Sequence, residues 1–275
     1  MAMELQESEW SRPVLTVEDV EHLAARLYGS PPAGGGILHP TAVWQTRESA
    51  DSEPLTTLNI NEQTPKSQVD SFALNLARAR ADAVITTGRI LRSEPDVTHA
   101  FGESTGLKAA LTRWRRQRLG KADPLISLVL TSGRDLDLKH PLFVSGDSVP
   151  LIFTSPAGRE RLLPRAPRSL EIASAEEPSI HRAIQFLRQQ REVRTISIET
   201  GPKTSCELYR SSGQHPDERV DELLLSTFQA PTIPESVCGP PFITRNHIRE
   251  NFQQPVSSRQ IRTPEGLWIF ERFLR

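Results

Sequence analysis

The sequence predicts an α/β protein with a mostly parallel central sheet and an antiparallel strand pair at its C-terminal end. Three observations carry this. From residue 41 onward, short apolar runs alternate with segments of helical periodicity. Four of those runs stop at Ser, Thr or Gly, the residues that turn a chain or cap a helix. The last two runs, 220–228 and 266–273, have no clear helix between them, so they are expected to pair antiparallel.

The elements follow in order. Residues 1–36 read as a helical or disordered appendage and linker ahead of one domain spanning 37–275. Thr16 and Asp19 stand at capping-box spacing, and Val20, Leu23 and Leu27 recur on one helical stripe. Gly29 to Gly36 reads as the linker; without a following Lys-Ser/Thr and a preceding strand, its glycines are no phosphate-binding loop. Residues 42–46 predict a short strand. Residues 67–80 predict a helix, with Val69, Phe72, Ala73, Leu76 and Ala79 inward. Residues 83–86 are a buried strand, and 106–119 a helix ended by Gly120. Strands are expected at 125–130, 149–153 and 194–199, with a helix opened by Pro178 before the last. A helix over 203–210 follows Gly201-Pro202.

Composition excludes several classes. The 33 basic and 34 acidic side chains leave a net charge of −1, which argues against a nucleic-acid or anionic-membrane binder. Arg113, Arg115, Arg116 and Arg118 accordingly read as a solvated helix face. No apolar run approaches the roughly 20 residues of a membrane span. Met1 to Trp10 is acidic and polar, unlike a secretory or mitochondrial leader. Two cysteines, Cys206 and Cys238, make no disulfide framework and point to a reduced, cytoplasmic protein, with Cys206 a structural thiol. The histidines are scattered with no pair one helical turn apart, so no metal site is expected. Trp268 and Phe270 alternate in the last strand, as core or interface residues do.

Ligands of open α/β sheets bind at the carboxyl ends of strands. Those ends carry Thr86, Thr87 and Gly88; Thr131 and Ser132; Thr154 and Ser155; and Glu199, Thr200, Gly201 and Pro202 just before a helix. Hydroxyls, a glycine and a helix start at one rim form a constellation suited to a phosphate-bearing ligand. Each residue taken singly is also ordinary turn and cap chemistry.

Arg78 to Gly88, followed by Leu91-Arg92-Ser93-Glu94-Pro95, resembles a stretch of the RibD C-terminal family, the dihydrofolate-reductase-like reductase domain of riboflavin biosynthesis. Further segments agree in order. Ser49-Ala50-Asp51-Ser52 is similar to the family's Ser-Leu-Asp-Gly. Val129 to Leu136 is similar to its Thr-Ser-Ser-Gly-Arg-Leu-Asp stretch, Ile198 to Pro202 to its Glu-Gly-Gly-Pro, and Val220-Asp221-Glu222-Leu223 with Ala230-Pro231 to its Val-Asp-Glu-Leu and Ala-Pro. The resemblance covers about residues 40–275.

The resemblance implies a dihydrofolate-reductase-like sandwich, NADPH as cofactor, a homodimer and a small-molecule substrate. The implied activity is that of 5-amino-6-(5-phosphoribosylamino)uracil reductase, hydride transfer to the sugar C1 of a ring-opened imine. Carried over residue by residue, Thr86, Thr87 and Gly88 would border the nicotinamide end. Thr131 and Ser132 would meet the adenosine ribose and 2′-phosphate. Gly201, Pro202, Lys203 and Thr204 would surround the pyrophosphate. Asp51 and Glu199 would face the substrate as the catalytic carboxylates. Four positions depart from the family: Thr200 replaces a glycine, Ser52 another glycine, Ile90 a threonine, and Gln45 a lysine or asparagine. The family's zinc-binding deaminase pattern is absent from the sequence. The alternative expectation is a catalytically degenerate relative that binds a nucleotide or a partner.

Overall fold

The computed structural model describes residues 3–29, 35–102, 104–210 and 218–275. Most of the expected linker, residues 30–34, and His215 lie outside them. The chain opens with β1 (Met3–Glu4), α1 (Glu7–Trp10), α2 (Val17–Tyr28), β2 (Gly36–Gln45) and β3 (Pro54–Leu58). It continues with α3 (Gln68–Arg80), β4 (Ala83–Thr87), α4 (Gly88–Ser93), α5 (Thr105–Leu119), β5 (Ile126–Leu130), α6 (Pro141–Val144), β6 (Val149–Thr154), α7 (Pro156–Leu162) and β7 (Glu171–Ser174). The last third holds α8 (Ile180–Arg191), β8 (Thr195–Ile198), α9 (Pro202–Ser205), β9 (Glu222–Gln229), β10 (Cys238–Thr244), α10 (Arg245–Phe252), β11 (Ser257–Arg262) and β12 (Leu267–Leu274).

Among the described residues the strands form one sheet in the order β1-β11-β12-β9-β2-β8-β4-β5-β6-β7, with β3 joining β2 to β10. From β9 through β2, β8, β4, β5 and β6 to β7 every pairing is parallel. β12 runs antiparallel to both β9 and β11. This is the expected α/β architecture, with its antiparallel C-terminal pair. The interval between that pair is fuller than expected, since β10, α10 and β11 occupy it. Among the described residues no helix is long and apolar enough to cross a membrane.

Side-chain alternation splits the core between the two faces. Ile85, Ile196, Ile198, Leu223 and Leu225 meet Ile180, Ala183, Ile184 and Leu187 of α8 on one face. Leu224, Phe228 and Phe270 meet α2, α3 and α5 on the other. The expected helix starts are present as capped termini. Thr16 and Asp19 form the complete capping box of α2, Ser67 caps α3, and Gly120 ends α5 in the left-handed conformation.

Three expectations are corrected. The segment read as an appendage packs into the second core through Leu5, Trp10, Val20, Leu23 and Leu27. Arg272 donates to the Tyr28 carbonyl at 3.1 Å, and Leu5 N to the Gln260 carbonyl at 2.8 Å. The stripe on α2 was visible in the sequence; its partners on α3, α5 and β12 are far along the chain. Arg115 is not solvated: it is 4% exposed and donates to the Ala79, Ala81 and Asp123 carbonyls, capping the end of α3. The strand expected at 42–46 begins at Gly36, because its first half pairs with β8 and β9 despite His39 and Pro40.

Candidate active site

The parallel register of β4, β5, β6 and β8 brings their carboxyl ends to one rim. At the end of β4, Thr86 is fully buried, and its hydroxyl has no protein partner. Thr87 caps α4, accepting from Ile90 N at 3.3 Å. Gly88 leaves room for Thr131, whose Oγ1 would lie 2.7 Å from an added Cβ. Thr131 Oγ1 accepts from Gly133 N at 3.1 Å, and the Ser132 carbonyl from Arg161 at 2.9 Å. Gly133 has φ of 72°, and its Cα passes close to the Gly158 backbone, so the β5 turn and the start of α7 touch without side chains between them.

The β8 end is built differently from expectation. The helix after it is short: α9 covers Pro202–Ser205 and a 3₁₀ turn continues over Cys206–Tyr209. Pro202 has no N–H, and Thr204 N donates to the Gly201 carbonyl at 2.9 Å. The turn therefore has fewer free N–H groups for a phosphate than a longer helix start would. It does have space: an added Cβ on Gly201 would meet nothing within 4 Å. Lys203 is exposed beside it. Thr200, like Thr154 at the β6 end, holds a buried hydroxyl without a partner. Cys206 is a poor nucleophile, its thiol pushed up to about 11 by burial.

Glu199 sits in a polar cluster on the face that also carries Thr86 and Ser197. Ile85, Ile196 and Ile198 take the opposite face. Arg78, in the last turn of α3, grips Glu199 with Nε 3.0 Å from both carboxylate oxygens and a terminal nitrogen 2.7 Å from Oε2. Burial is the largest influence and raises the Glu199 proton affinity, but Arg78, with His99 and Ser197 added, brings the carboxyl below its usual range. His99 Nε2 lies 3.9 Å from Glu199 Oε2. The His99 ring is bound through Nδ1 to Ser127 Oγ at 2.8 Å, and Ser127 to Ser148 at 2.7 Å. Burial pulls His99 down to about 4, so it is neutral near pH 7.

The cluster contains residues that motif reading passed over. Glu94, which ends α4, is partly buried. Burial, with the charge of Glu199 added, pushes its carboxyl up to about 7, and Arg78 opposes this only partly. His140 helps fix this end of α4. It accepts from Leu142 N on Nδ1, so its Nε2–H donates to the Glu94 carbonyl at 3.1 Å. Glu94 stood inside a quoted motif, and its sequence signal was a carboxylate just before Pro95. His99 carried no such signal, because its neighbours Ser127, on β5, and Ser148, just before β6, are distant in sequence. It adopts φ of 59°, a conformation that costs a non-glycine residue roughly 1 kcal/mol or more.

The structure does not join Asp51 to this cluster. Asp51 is exposed, pairs with Arg249 of α10 and accepts from Asn246 N on its carbonyl. Gln45, at the end of β2, accepts from Arg245 Nε at 2.8 Å. Arg245 also reaches Glu271 at 2.8 Å and Thr227 at 3.0 Å, so α10 places a cation beside the position where a family lysine was missed.

A dinucleotide fits these residues in part. Thr86 and Thr200 offer unpaired buried hydroxyls, Gly201 offers open space, and Lys203, Arg161 and Arg134 offer positive charge near the two ends of the rim.

No protein-family model matches the sequence, and no curated protein does. Solved structures do match in shape. The chain is similar to a pyrimidine reductase-like protein from Corynebacterium diphtheriae, at 21% identity and a TM-score of 0.55, over 92% of this chain and 98% of that one. It is also similar to RibD of Acinetobacter baumannii, at 15% identity and a TM-score of 0.54, over 88% of this chain and 58% of that one. The present chain thus spans little more than half the length of that RibD. With the sheet order and the rim described above, the chain has the fold of the RibD C-terminal, dihydrofolate-reductase-like reductase domain.

Proposed function

We propose that this protein is an NADPH-dependent reductase of a small heterocyclic sugar phosphate of the ribosylaminopyrimidine type. The observation that carries this reading is the pair of unequal carboxylates at the rim: Glu199 held ionised by Arg78, and Glu94 near it with a proton affinity close to neutrality. Environments that push two carboxyls apart assign an acid and an anion.

When bound, the dinucleotide supplies a hydride. Glu199, fixed by its two-nitrogen grip, accepts hydrogen bonds from sugar hydroxyls and orients the reacting carbon. Glu94, whose carboxyl burial and the charge of Glu199 push up to about 7, donates a proton to the nitrogen of a C=N bond. The Thr86 hydroxyl takes a polar edge of the ligand, and Lys203 a phosphate. Arg161 and Arg134, beside Ser132, favour a 2′-phosphate and hence NADPH over NADH. Asp51, paired with Arg249, takes no part in the proton path.

One observation favours a second reading, a relative that binds a nucleotide without turnover: Thr200 puts a side chain where the family has glycine. Titration with NADPH and NADH, followed by nicotinamide fluorescence, is the first test. Micromolar binding that prefers NADPH is expected. With a ribosylaminopyrimidine phosphate added, the wild type should turn over, and Glu199→Gln should stay folded while losing that turnover. Binding without turnover of any such substrate selects the second reading, and no binding at millimolar cofactor defeats both.

A further inference from the structure

A second cavity lies on the same face of the sheet as Glu199 but at its far end, outside the reductase reading and independent of it. It measures about 470 Å³ and is formed by the loop before α3, the loop after β9 and the β11–β12 turn. Phe228, its buried floor, pairs with Trp44 of β2, while Ser197 pairs with Leu38. Glu199, two residues past Ser197, is level with Pro40. The Phe228 end of the cavity is therefore about 13 Å further along the strands and about 10 Å across them. Helix α3 spans the interval: Lys66, a lining residue, stands just before its cap, and Arg78 in its last turn grips Glu199.

The walls are braced against one another. Asn59 N donates to the Val237 carbonyl at 2.8 Å, and the Asn59 and Asn61 side chains donate to the Cys238 and Ser236 carbonyls at 3.0 and 2.9 Å. Thr64 Oγ1 donates to the Asn59 carbonyl at 2.6 Å and accepts from Asn61 N at 2.8 Å. Trp44 Nε1 donates to the Ala230 carbonyl at 3.1 Å and fixes the start of the loop after β9. In the third wall, Thr263 N donates to the Gly266 carbonyl at 2.9 Å and Gly266 N to the Thr263 carbonyl at 3.3 Å, a tight turn that carries Glu265 at its tip. Gly266 gives Phe228 its room, since an added Cβ would lie 2.7 Å from the ring. These bonds occupy the loops' own polar groups. A ligand is left the apolar surface of Phe228, Pro65 and Ile233 and the charges of Glu62, Glu265 and Lys66. All three charged side chains are exposed, and among the described residues none of them forms an ion pair.

We infer that this cavity is a binding site for a small monocationic amine with a flat apolar body, the body resting on Phe228, Pro65 and Ile233 and the ammonium facing Glu62 and Glu265. Two carboxylates against one lysine leave the lining one negative charge in excess, which a single ammonium neutralises. The volume falls within the roughly 300–1,000 Å³ of small-molecule sites. The separation from Glu199 lets the amine and a dinucleotide be held at the same time.

Titration of the full chain with 2-phenylethylamine and with 3-phenylpropionate, followed by amide NMR shifts, tests this, because the two probes share a body and carry opposite charge. The amine should saturate with a Kd of about 1 mM or tighter, and the acid should bind about tenfold more weakly. Glu62→Gln with Glu265→Gln, both at exposed positions, should weaken the amine about tenfold and cancel its advantage over the acid. Ile233→Ser should weaken both probes about threefold. Saturating NADPH should leave the amine Kd within about twofold. No saturation by about 20 mM, equal binding of the two probes, or undiminished affinity in the double variant overturns the inference. Displacement of the amine by NADPH overturns it by placing the amine at the catalytic rim. If NADPH does not bind, the reductase reading fails, and the probe and variant titrations still decide the cavity without it.

Discussion

Replacing Glu94 by glutamine should change the pH dependence of stability in a direction fixed by the structure. The carboxyl of Glu94 is raised from 4.5 to about 7 by burial and by Glu199. The native state therefore binds its proton more tightly than the unfolded chain does. The stability that proton contributes is present in full below pH 4.5 and is lost as the pH climbs through 7. The whole loss is about 3 kcal/mol at most. Glutamine stays neutral throughout, so Glu94→Gln should gain on the wild type as the pH rises. Between pH 5 and pH 8 the difference between the two proteins should move by about 2–3 kcal/mol in favour of the variant. His99, depressed to about 4, makes the opposite contribution on the acid side, but it is present in both proteins and largely cancels. Urea denaturation of both proteins at the two pH values measures the difference. A constant gap, or a variant that falls behind at pH 8, would show that Glu94 is solvated and that the cluster is not a coupled one.

Two further outcomes follow from the packing and from the rim. Leu27→Ala, at a fully buried position on α2, should cost about 3 kcal/mol in urea denaturation; an unchanged midpoint would mean that α2 does not pack on the domain. Thr86→Val should leave stability within about 0.5 kcal/mol, because the hydroxyl it removes has no protein partner, and should weaken NADPH binding about tenfold. Unaltered affinity in a folded Thr86→Val protein would take that hydroxyl out of the ligand site.

Local signals were read well where local physics decides the outcome. The capping box of Thr16 and Asp19, the terminator Gly120 and the apolar strand 83–86 all depend on a few adjacent residues. The sequence also placed four polar strand ends at one rim, because parallel pairing follows from alternating strands and helices. Elements whose reason lies across the sheet escaped notice. β3 and β10 pair with each other, and neither Pro54–Leu58 nor Cys238–Thr244, with its two prolines, alternates cleanly alone. The same holds at the site. Glu199 was visible from its motif, but what defines it is Arg78, 121 residues away, which converts a carboxylate at a helix start into half of a buried ion pair. Arg115 looked solvated among its arginine neighbours because the carbonyls it caps belong to the preceding helix.

The place of β2 at the centre of the sheet bears on how the chain reaches its native state. β2 is an N-terminal strand, yet it pairs with β8 and β9, and Ile37 N donates to Asp221 Oδ2 across 184 residues of sequence. The middle of the sheet cannot close until that late segment has emerged from the ribosome. Until then β2 and β4 present apolar, unpaired edges with β8 missing between them. Loop closure over such a distance makes for slow folding, and the half-made sheet is the state most exposed to aggregation and to chaperone capture. Expression of this protein should therefore respond more to temperature and translation rate than its native packing alone would suggest.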